Sequence, residues 1–323
     1  MVRPTVSIAL ATYNGAEYLA DQLNSYLGQT LLPDELVICD DASDDITVQI
    51  LEDFAASCPF EVRVIRNPIR LGYTQNFSKA LSLCRSDLVF LSDQDDEWHS
   101  DKISAVLDIL VDNPSCWLVI HDGEIVGVDG SRSGVTKMGQ VRSGYGSDAS
   151  LVTGALSVAR KDFLSLALPI PEEVVGHDIW LHRLCGFFPH RRVVVPESLQ
   201  TIRRHDRNSS EWVVNSTERV GRLDVLLSQA STIPSTDYGD RIRLNRALHD
   251  RMVTVGHQDR RADRASVDEA VQKLERERQA LEMRQTLVDS GPVARRLLAL
   301  KMLFQGRYGQ FNGWRSLVRD MLR

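Results

Sequence analysis

Cysteine is scarce in this chain: there are five in 323 residues (Cys39, Cys58, Cys84, Cys116 and Cys185), scattered and without a C-x-x-C pair. That excludes a disulfide framework and a zinc knuckle, and it fits a reducing cytoplasm. No apolar run reaches the roughly 18–20 residues of a membrane-spanning helix. The opening stretch, MVRPTVSIALATYNG, carries one early base and a short apolar segment broken by polar residues, so it predicts a strand and turn and not a signal peptide. There is no G-x-x-x-x-G-K-[ST], and no G-x-G-x-x-G follows the first strand, which removes kinase-like and dinucleotide readings. Bases are few at the front: residues 1–101 hold 17 Asp/Glu against 6 Lys/Arg. Such an acidic half argues against a nucleic-acid partner. It suits a site in which a divalent cation neutralises clustered carboxylates.

What is present is an ordinary globular balance, 43% apolar and 25% charged, in a length that suits about two domains. The charge reverses toward the end, where 291–323 has seven bases against Asp320 alone. The first hundred residues alternate strand and helix. Apolar runs at 6–11, 35–40, 62–67 and 87–93 predict strands, the third alternating like an edge strand. Between them fall helices: one carrying Tyr18, Leu19, Leu23, Tyr26 and Leu27, one over 45–56 capped by Asp44, one over 74–84, and a fourth over about 99–111. This rhythm implies an α/β fold with a mostly parallel sheet, whose ligands bind beyond the carboxyl ends of the strands. Further strands are expected at 117–122 and 193–198, and a mobile Gly/Ser-rich loop at 129–150. From about 216 the chain reads as helical, with a charged helix at 259–285 that is solvated or self-associating. A break at Gly291-Pro292 precedes a basic amphipathic helix at 293–304. The expected organisation is 1–215 (halves 1–112 and 113–215) followed by a helical extension, 216–323. The basic final helix either docks on its own protein or lies at an anionic membrane surface.

The distinctive residues sit at strand ends. Asp93-Gln94-Asp95-Asp96 follows an apolar strand directly. Two carboxylates one residue apart can hold a divalent metal that bridges diphosphate oxygens, or they can cap the next helix. Asp40-Asp41 ends the second strand, where a carboxylate accepts the N3–H of uracil or thymine or closes a helix-capping turn with Ser43 and Asp44. Thr12 and Tyr13 end the first strand, where they face the same base or form a plain turn. Asp178, in His177-Asp178-Ile179-Trp180, reads as a general base for a hydroxyl or as a helix cap with Trp180 in the core. His205 reads as a nitrogen ligand to the metal or as part of a solvated basic turn, with Arg203 or Arg204 against phosphate.

Taken in order, VSIALATYNGAEYLADQLNSYLGQT, LVICDDASDD, NPIRLGYTQNFSKAL, DLVFLSDQDDEWHSDKI, VTGALSVARKDF, GHDIWL and IRRHDRNSS resemble family 2 glycosyltransferases of the GT-A fold, nearest the rhamnosyltransferase-like, cell-surface polysaccharide branch. The resemblance implies a Rossmann-like sheet with a helical C-terminal extension. It implies an inverting, single-displacement transfer from a nucleoside-diphosphate sugar, a UDP- or dTDP-sugar such as dTDP-rhamnose, with Mg²⁺ or Mn²⁺. The acceptor would be a saccharide or lipid-linked hydroxyl, and the protein would work in the cytoplasm or at the inner face of the membrane. By motif, Ala11, Thr12, Tyr13, Asp41, Asn76, Lys79 and Asp93 would bind the nucleotide sugar. Asp95, Asp93 and His205 would hold the metal, and Asp178 would be the base. Asp96 or Glu97 would touch donor sugar or only cap, and Gly154 stands where the family keeps a small residue. His177 departs from the acid usual before the base, and Arg203 from a frequent Tyr. Two other classes remain. One is a non-catalytic nucleotide-sugar-binding subunit on the same fold. The other is a nucleotidyltransferase, which the missing glycine-rich basic loop disfavours.

Overall fold

The computed structural model describes residues 3–127, 129–143, 147, 150–205, 238–258, 264–311 and 313–322. The chain divides into two compact units, Met1–Ile170 with Gly176–Thr232, and Pro171–Val175 with Ile233–Arg323. The boundary expected at 215/216 lies outside the described residues, as does the expected onset of helix at 216.

In the first unit β1 (Val6–Thr12), β2 (Glu35–Asp40), β3 (Glu61–Arg66) and β4 (Leu88–Ser92) alternate with α1 (Leu19–Leu27), α2 (Thr47–Ser57) and α3 (Tyr73–Leu83). The strands pair in parallel in the order β3-β2-β1-β4. Their sequences explain the order. β2 and β4 are buried throughout and β1 nearly so, as strands covered on both faces must be. β3 alternates and takes the edge. On α1, Leu19, Leu23 and Tyr26 recur at helical spacing and are buried. They join Ile8, Leu10, Leu36, Ile38 and Phe90 in one core cluster, where each large side chain removed from water contributes about 1.5–3 kcal/mol.

Past the two-residue β5 (Glu97–Trp98) and α4 (Lys102–Asp112), the sheet becomes mixed. β8 (Ser157–Arg160) runs antiparallel between β4 and β6 (Leu118–Gly127). β9 (Arg192–Arg204) lies parallel to β6, and β5 antiparallel to β9. Helices α6 (Lys161–Ala167) and α7 (His177–Cys185) fall between β8 and β9 in sequence.

Two expectations need correction here. The stretch 129–150 is not simply a loop. β7 (Arg132–Thr136) pairs antiparallel with β6, and α5 (Lys137–Ser143) follows it. Val135, Met138 and Val141 are buried, a sparse apolar pattern that the surrounding Gly and Ser concealed. Residues 144–146, 148 and 149 lie outside the description. Nor does Asp44 cap α2. The helix begins at Thr47, so Asp45 is in reach and accepts the Thr47 N–H at 2.9 Å, while Asp44 accepts from Asn14 Nδ2 at 2.7 Å.

In the second unit α8 (Gly239–Gln258) and α9 (Arg264–Asp289) pack along each other. Leu244, Leu248, Met252 and Val255 of one helix and Val267, Ala270 and Leu274 of the other are buried. The expected charged helix is thus α9, with 259–263 outside the description. Chain direction breaks at Gly291-Pro292 into α10 (Pro292–Phe304), and α11 (Trp314–Leu322) follows. Leu287, Ala299, Met302 and Tyr308 make a small core. Beside it Arg284 Nη2 meets Asp320 Oδ1 at 3.2 Å, and the Tyr308 hydroxyl donates to Asp320 Oδ2 at 3.1 Å. Among the described residues no helix is long and apolar enough to cross a membrane.

Candidate active site

A cavity of about 920 Å³ opens at the carboxyl ends of β1, β2 and β4. Its wall includes Ala11, Thr12 and Tyr13 from β1 and its turn, Asp41 after β2, and Asn76 from α3. Asp93, Asp95 and Asp96 after β4, and Asp178 on α7, complete the acidic part of the lining. Most of the residues singled out in the sequence therefore meet in one place, within the volume range of small-molecule sites.

Asp40 and Asp41 divide the two roles weighed for them. Asp40 closes the turn: its carboxylate accepts from the Ser43 N–H (2.9 Å), the Ser43 hydroxyl (2.5 Å) and the Thr12 hydroxyl (3.0 Å). Asp41 faces the cavity. Its Oδ1 accepts from Asn67 Nδ2 (3.1 Å) and the Leu71 N–H (2.7 Å), and its Oδ2 from the Gly72 N–H (2.9 Å). Gly72 has φ +82°, a left-handed conformation in which glycine is unstrained, and this turns its N–H onto the carboxylate. Two acceptor positions on each oxygen leave one on Oδ2 for a ligand. Asn76 does not touch that carboxylate. It ties the sheet end together, donating to the Cys39 carbonyl (2.8 Å) and accepting from Asn67 (2.9 Å). Lys79 does not line the cavity; its ammonium donates to Asn67 Oδ1 at 2.7 Å, one residue removed from Asp41.

The acidic loop is anchored by its middle residue. Gln94 Oε1 accepts the Tyr13 N–H (2.8 Å), and its amide donates to the Tyr13 carbonyl (3.0 Å). Tyr13 carries Arg70 over its ring, 3.9 Å from the centroid. Asp93, Asp95 and Asp96 bring carboxylate oxygens within 4.8 Å of one another. Asp93 keeps some surface toward the cavity, yet crowding by protein atoms desolvates it. With the charges of Asp95 and Asp178 nearby, its carboxyl is pushed up to about 7. Asp96 is buried and accepts from Gln200 Nε2 at 2.7 Å; burial, then Asp95 and Asp93, raise it well above the ordinary range. Glu97 points to solvent from β5. His205 Nε2 lies 2.8 Å from Asp95 Oδ2, and its ring stacks on Tyr18 at 4.7 Å. Oxygen donors with one imidazole suit a hard divalent cation such as Mg²⁺ or Mn²⁺. Like charges held this close are costly unless a cation compensates. The donor set therefore fits such an ion.

Asp178 sits in the first turn of α7, where the helix dipole favours an anion. Its Oδ1 accepts the Ile179 N–H at 2.8 Å. Trp180 is fully buried and donates from Nε1 to the Ala167 carbonyl, so the helix is pinned to the core while Asp178 faces the cavity. His177 is buried, stacked on Phe77 at 3.9 Å, and burial lowers its pKa. It also explains Gly154: a Cβ there would stand 2.3 Å from His177 Nε2. Of the two arginines, Arg203 reaches Asp21 at 2.9 Å and Arg204 lines the cavity.

Sequence reasoning passed over Lys102 and Lys137. Lys102 opens α4 but is fully buried beneath the acidic loop, bonded to Gln200 and lying 3.8 Å from the Trp98 ring centroid. Burial lowers its pKa against the pull of Asp96 and Asp93. Lys137 lines the cavity from α5, and burial, then Arg204, bring its ammonium to about 8. A lysine at a helix start reads as solvated, so nothing local marked either one. Gln94 lay inside the acidic motif as an unread position.

Residues 7–143 match the family model described as Glycosyl transferase family 2. An uncharacterized protein of Mycobacterium tuberculosis is 28% identical over 207 residues, covering 62% of this chain and 59% of that protein. The chain thus spans about three-fifths of the curated relatives that it matches over the greatest length. The dTDP-rhamnosyl transferase RfbG of Shigella flexneri is 35% identical over 113 residues, 33% of this chain and 39% of the relative. Among solved structures, residues 1–349 of S. aureus TarS in complex with UDP superpose with a TM-score of 0.58 at 14% identity, covering 95% of this chain and 87% of that one. The mannosyltransferase PcManGT from Pyrobaculum calidifontis, in complex with GDP-Man and Mn²⁺, gives 0.51 at 15% identity, over 100% and 85%. At these identities the structural likeness establishes the fold, which is GT-A.

Proposed function

Starting from a chain that carries a family 2 glycosyltransferase domain on a GT-A frame, we propose that it is an inverting, metal-dependent glycosyltransferase. It moves a sugar from a UDP- or dTDP-sugar, dTDP-rhamnose foremost, to a hydroxyl of a saccharide or lipid-linked acceptor in cell-surface polysaccharide synthesis. The division of labour is a catalytic domain over 1–215 and a helical extension over 216–323. One observation carries the reading: Asp41, the Asp93–Asp95 pair and Asp178 line a single cavity at the carboxyl ends of the parallel strands.

Asp41 selects the base. Its oxygens are aimed by three donors, and the acceptor position left on Oδ2 matches the N3–H that uracil and thymine share. Asp93, Asp95 and His205 would hold Mg²⁺ or Mn²⁺, which when bound supplies positive charge against the diphosphate. Asp178 takes the proton from the acceptor hydroxyl. The oxygen then bonds to the anomeric carbon as the bond to the diphosphate oxygen breaks, and the nucleoside diphosphate departs with the electron pair. A single base suffices for this displacement, which inverts the anomeric centre. The dTDP-rhamnose assignment draws on the similarity to RfbG. The cell-surface role also draws on the similarity to the putative teichuronic acid biosynthesis glycosyltransferase TuaG of Bacillus subtilis.

The test separates donor binding from chemistry. In a thermal-shift panel of nucleotide sugars with and without Mn²⁺, dTDP-rhamnose should stabilise the wild type most. A ligand at a hundredfold excess over its Kd contributes about 2.7 kcal/mol. Asp95→Ala should lose the Mn²⁺-dependent part of that shift and all transfer. Asp178→Asn should keep the shift and lose about 10²–10⁴-fold in kcat. Near-normal turnover by Asp178→Asn would remove the base assignment.

A further inference from the structure

The helix α10 has two apolar faces, and only one of them is used. Ala299 and Met302 are fully buried against the small core of the second unit. On the opposite side Val293, Leu297, Leu300 and Phe304 follow one another at steps of four, three and four, which places them along one line of the helix. They lie in solvent, Val293 74%, Leu297 65% and Phe304 86% exposed, with Leu303 beside them. On α11 the pair Trp314 and Val318 repeats the pattern, Trp314 being 70% exposed. At about 100° per residue, Arg296 flanks the line on one side and Lys301 on the other, and both are exposed. From 291 to 322 the only acid is Asp320, which is fully buried and paired with Arg284. The surface around the stripe therefore presents positive charge with no exposed carboxylate of its own segment.

We infer that this face is a membrane-binding surface, and that its partner is a bilayer rich in anionic lipid. Apolar burial and basic attraction add at such an interface, and a helix with bases flanking an apolar line lies in the plane of the headgroups. Thirteen residues reach only about 20 Å, so α10 rests in one leaflet and does not span. Charge decides against the other obvious occupant. A two-fold contact between copies of this face would bring Arg296 and Lys301 of one copy near the same bases of the other, with no acid of the segment to neutralise them. The inference stands on the second unit alone, so it and the proposed chemistry can fail separately.

Co-sedimentation of the full chain tests it, with vesicles of phosphatidylcholine alone and of phosphatidylcholine mixed with phosphatidylglycerol. The wild type should pellet with the anionic vesicles, stay in solution with the neutral ones, and be released by salt. Leu297→Asp with Phe304→Asp should weaken binding about tenfold or more, and Arg296→Glu with Lys301→Glu likewise. All four positions are exposed, so circular dichroism should show unchanged helix content. Failure of the folded wild type to bind anionic vesicles would overturn the inference, as would equal binding to both vesicle types or undiminished binding by the variants. Sedimentation velocity covers the remaining case: a dimer that the aspartate variants dissociate, without vesicle binding, would make the stripe a self-association face and overturn it too.

Discussion

Asp93 in the first unit and Asp320 in the second are both carboxylates packed among protein atoms, yet they are handled in opposite ways. Asp320 is closed on its own chain: Arg284 and Tyr308 reach its two oxygens, and the guanidinium also lies 4.3 Å from the Phe311 ring centroid. Around Asp93 the nearest strong influences are more carboxylates, Asp95 and Asp178, and the buried Lys102 below has its charge disfavoured by burial. A closed pair holds helices together. An open cluster of like charges costs stability and is worth keeping only where something cationic arrives, so the contrast separates a staple from a site.

The contrast can be broken by substitution. The largest expected effect is at the closed pair. Arg284→Met leaves Asp320 buried without its cation and should cost about 3–5 kcal/mol, read from chemical denaturation of the second unit's helical signal. A variant that unfolds like the wild type would show that the pair contributes nothing.

Next in size is an acid effect at His182. Its Nε2 lies 2.9 Å from the Ser157 hydroxyl and its Nδ1 3.4 Å from Arg192, and burial, then Arg192, bring its pKa to about 3. The unfolded chain protonates near 6.5, so the unfolded state binds the extra proton between the two values. Stability is therefore full above about pH 6.5 and declines as pH falls, by up to about 2 kcal/mol at pH 5. His121 and His177 are shifted in the same direction by burial and add to the decline. Thermal midpoints across this range should fall for the wild type and fall less steeply for His182→Gln, in which His121 and His177 remain.

Asp93→Asn should act with the opposite sign to Arg284→Met. Removing one of several crowded carboxylates should raise the stability of the metal-free protein at neutral pH by about 1 kcal/mol, while abolishing stabilisation by Mn²⁺. If it destabilises instead, the open cluster is a structural feature after all. The smallest effect belongs to a charge pair at the surface. Arg3 meets Asp34 at 3.0 Å with both side chains more than a third exposed, and Arg3→Ala should change stability by less than about 1 kcal/mol.

How much of this was legible depended on whether the deciding interaction was local. The strands at 6–12, 35–40 and 88–92 announce themselves because burial on both faces demands an unbroken apolar run. Asp41, Asp93, Asp95 and Asp178 stood out because each ends a strand or opens a helix at the sheet's binding edge. The resemblance to family 2 glycosyltransferases is borne out by the family match over 7–143, and the expected GT-A fold by the solved neighbours. What escaped was settled across the chain. The pairing of β7 with β6 overrides a Gly/Ser-rich composition. That Asp45 and not Asp44 meets the Thr47 N–H depends on where α2 begins, a matter of a residue or two. Lys102 is buried by contacts to Gln200 and Ala155, 98 and 53 positions away, and no window of sequence holds that information.

Gln94 has a mechanical consequence. It grips both main-chain polar groups of Tyr13, so the turn after β1 and the acidic loop after β4 are bolted into one rigid part. A nucleotide pressing on the first would transmit its displacement to the second without any hinge between them. With Gln94 cut back to alanine the two would move independently, and the grip on base and on diphosphate would no longer rise and fall together.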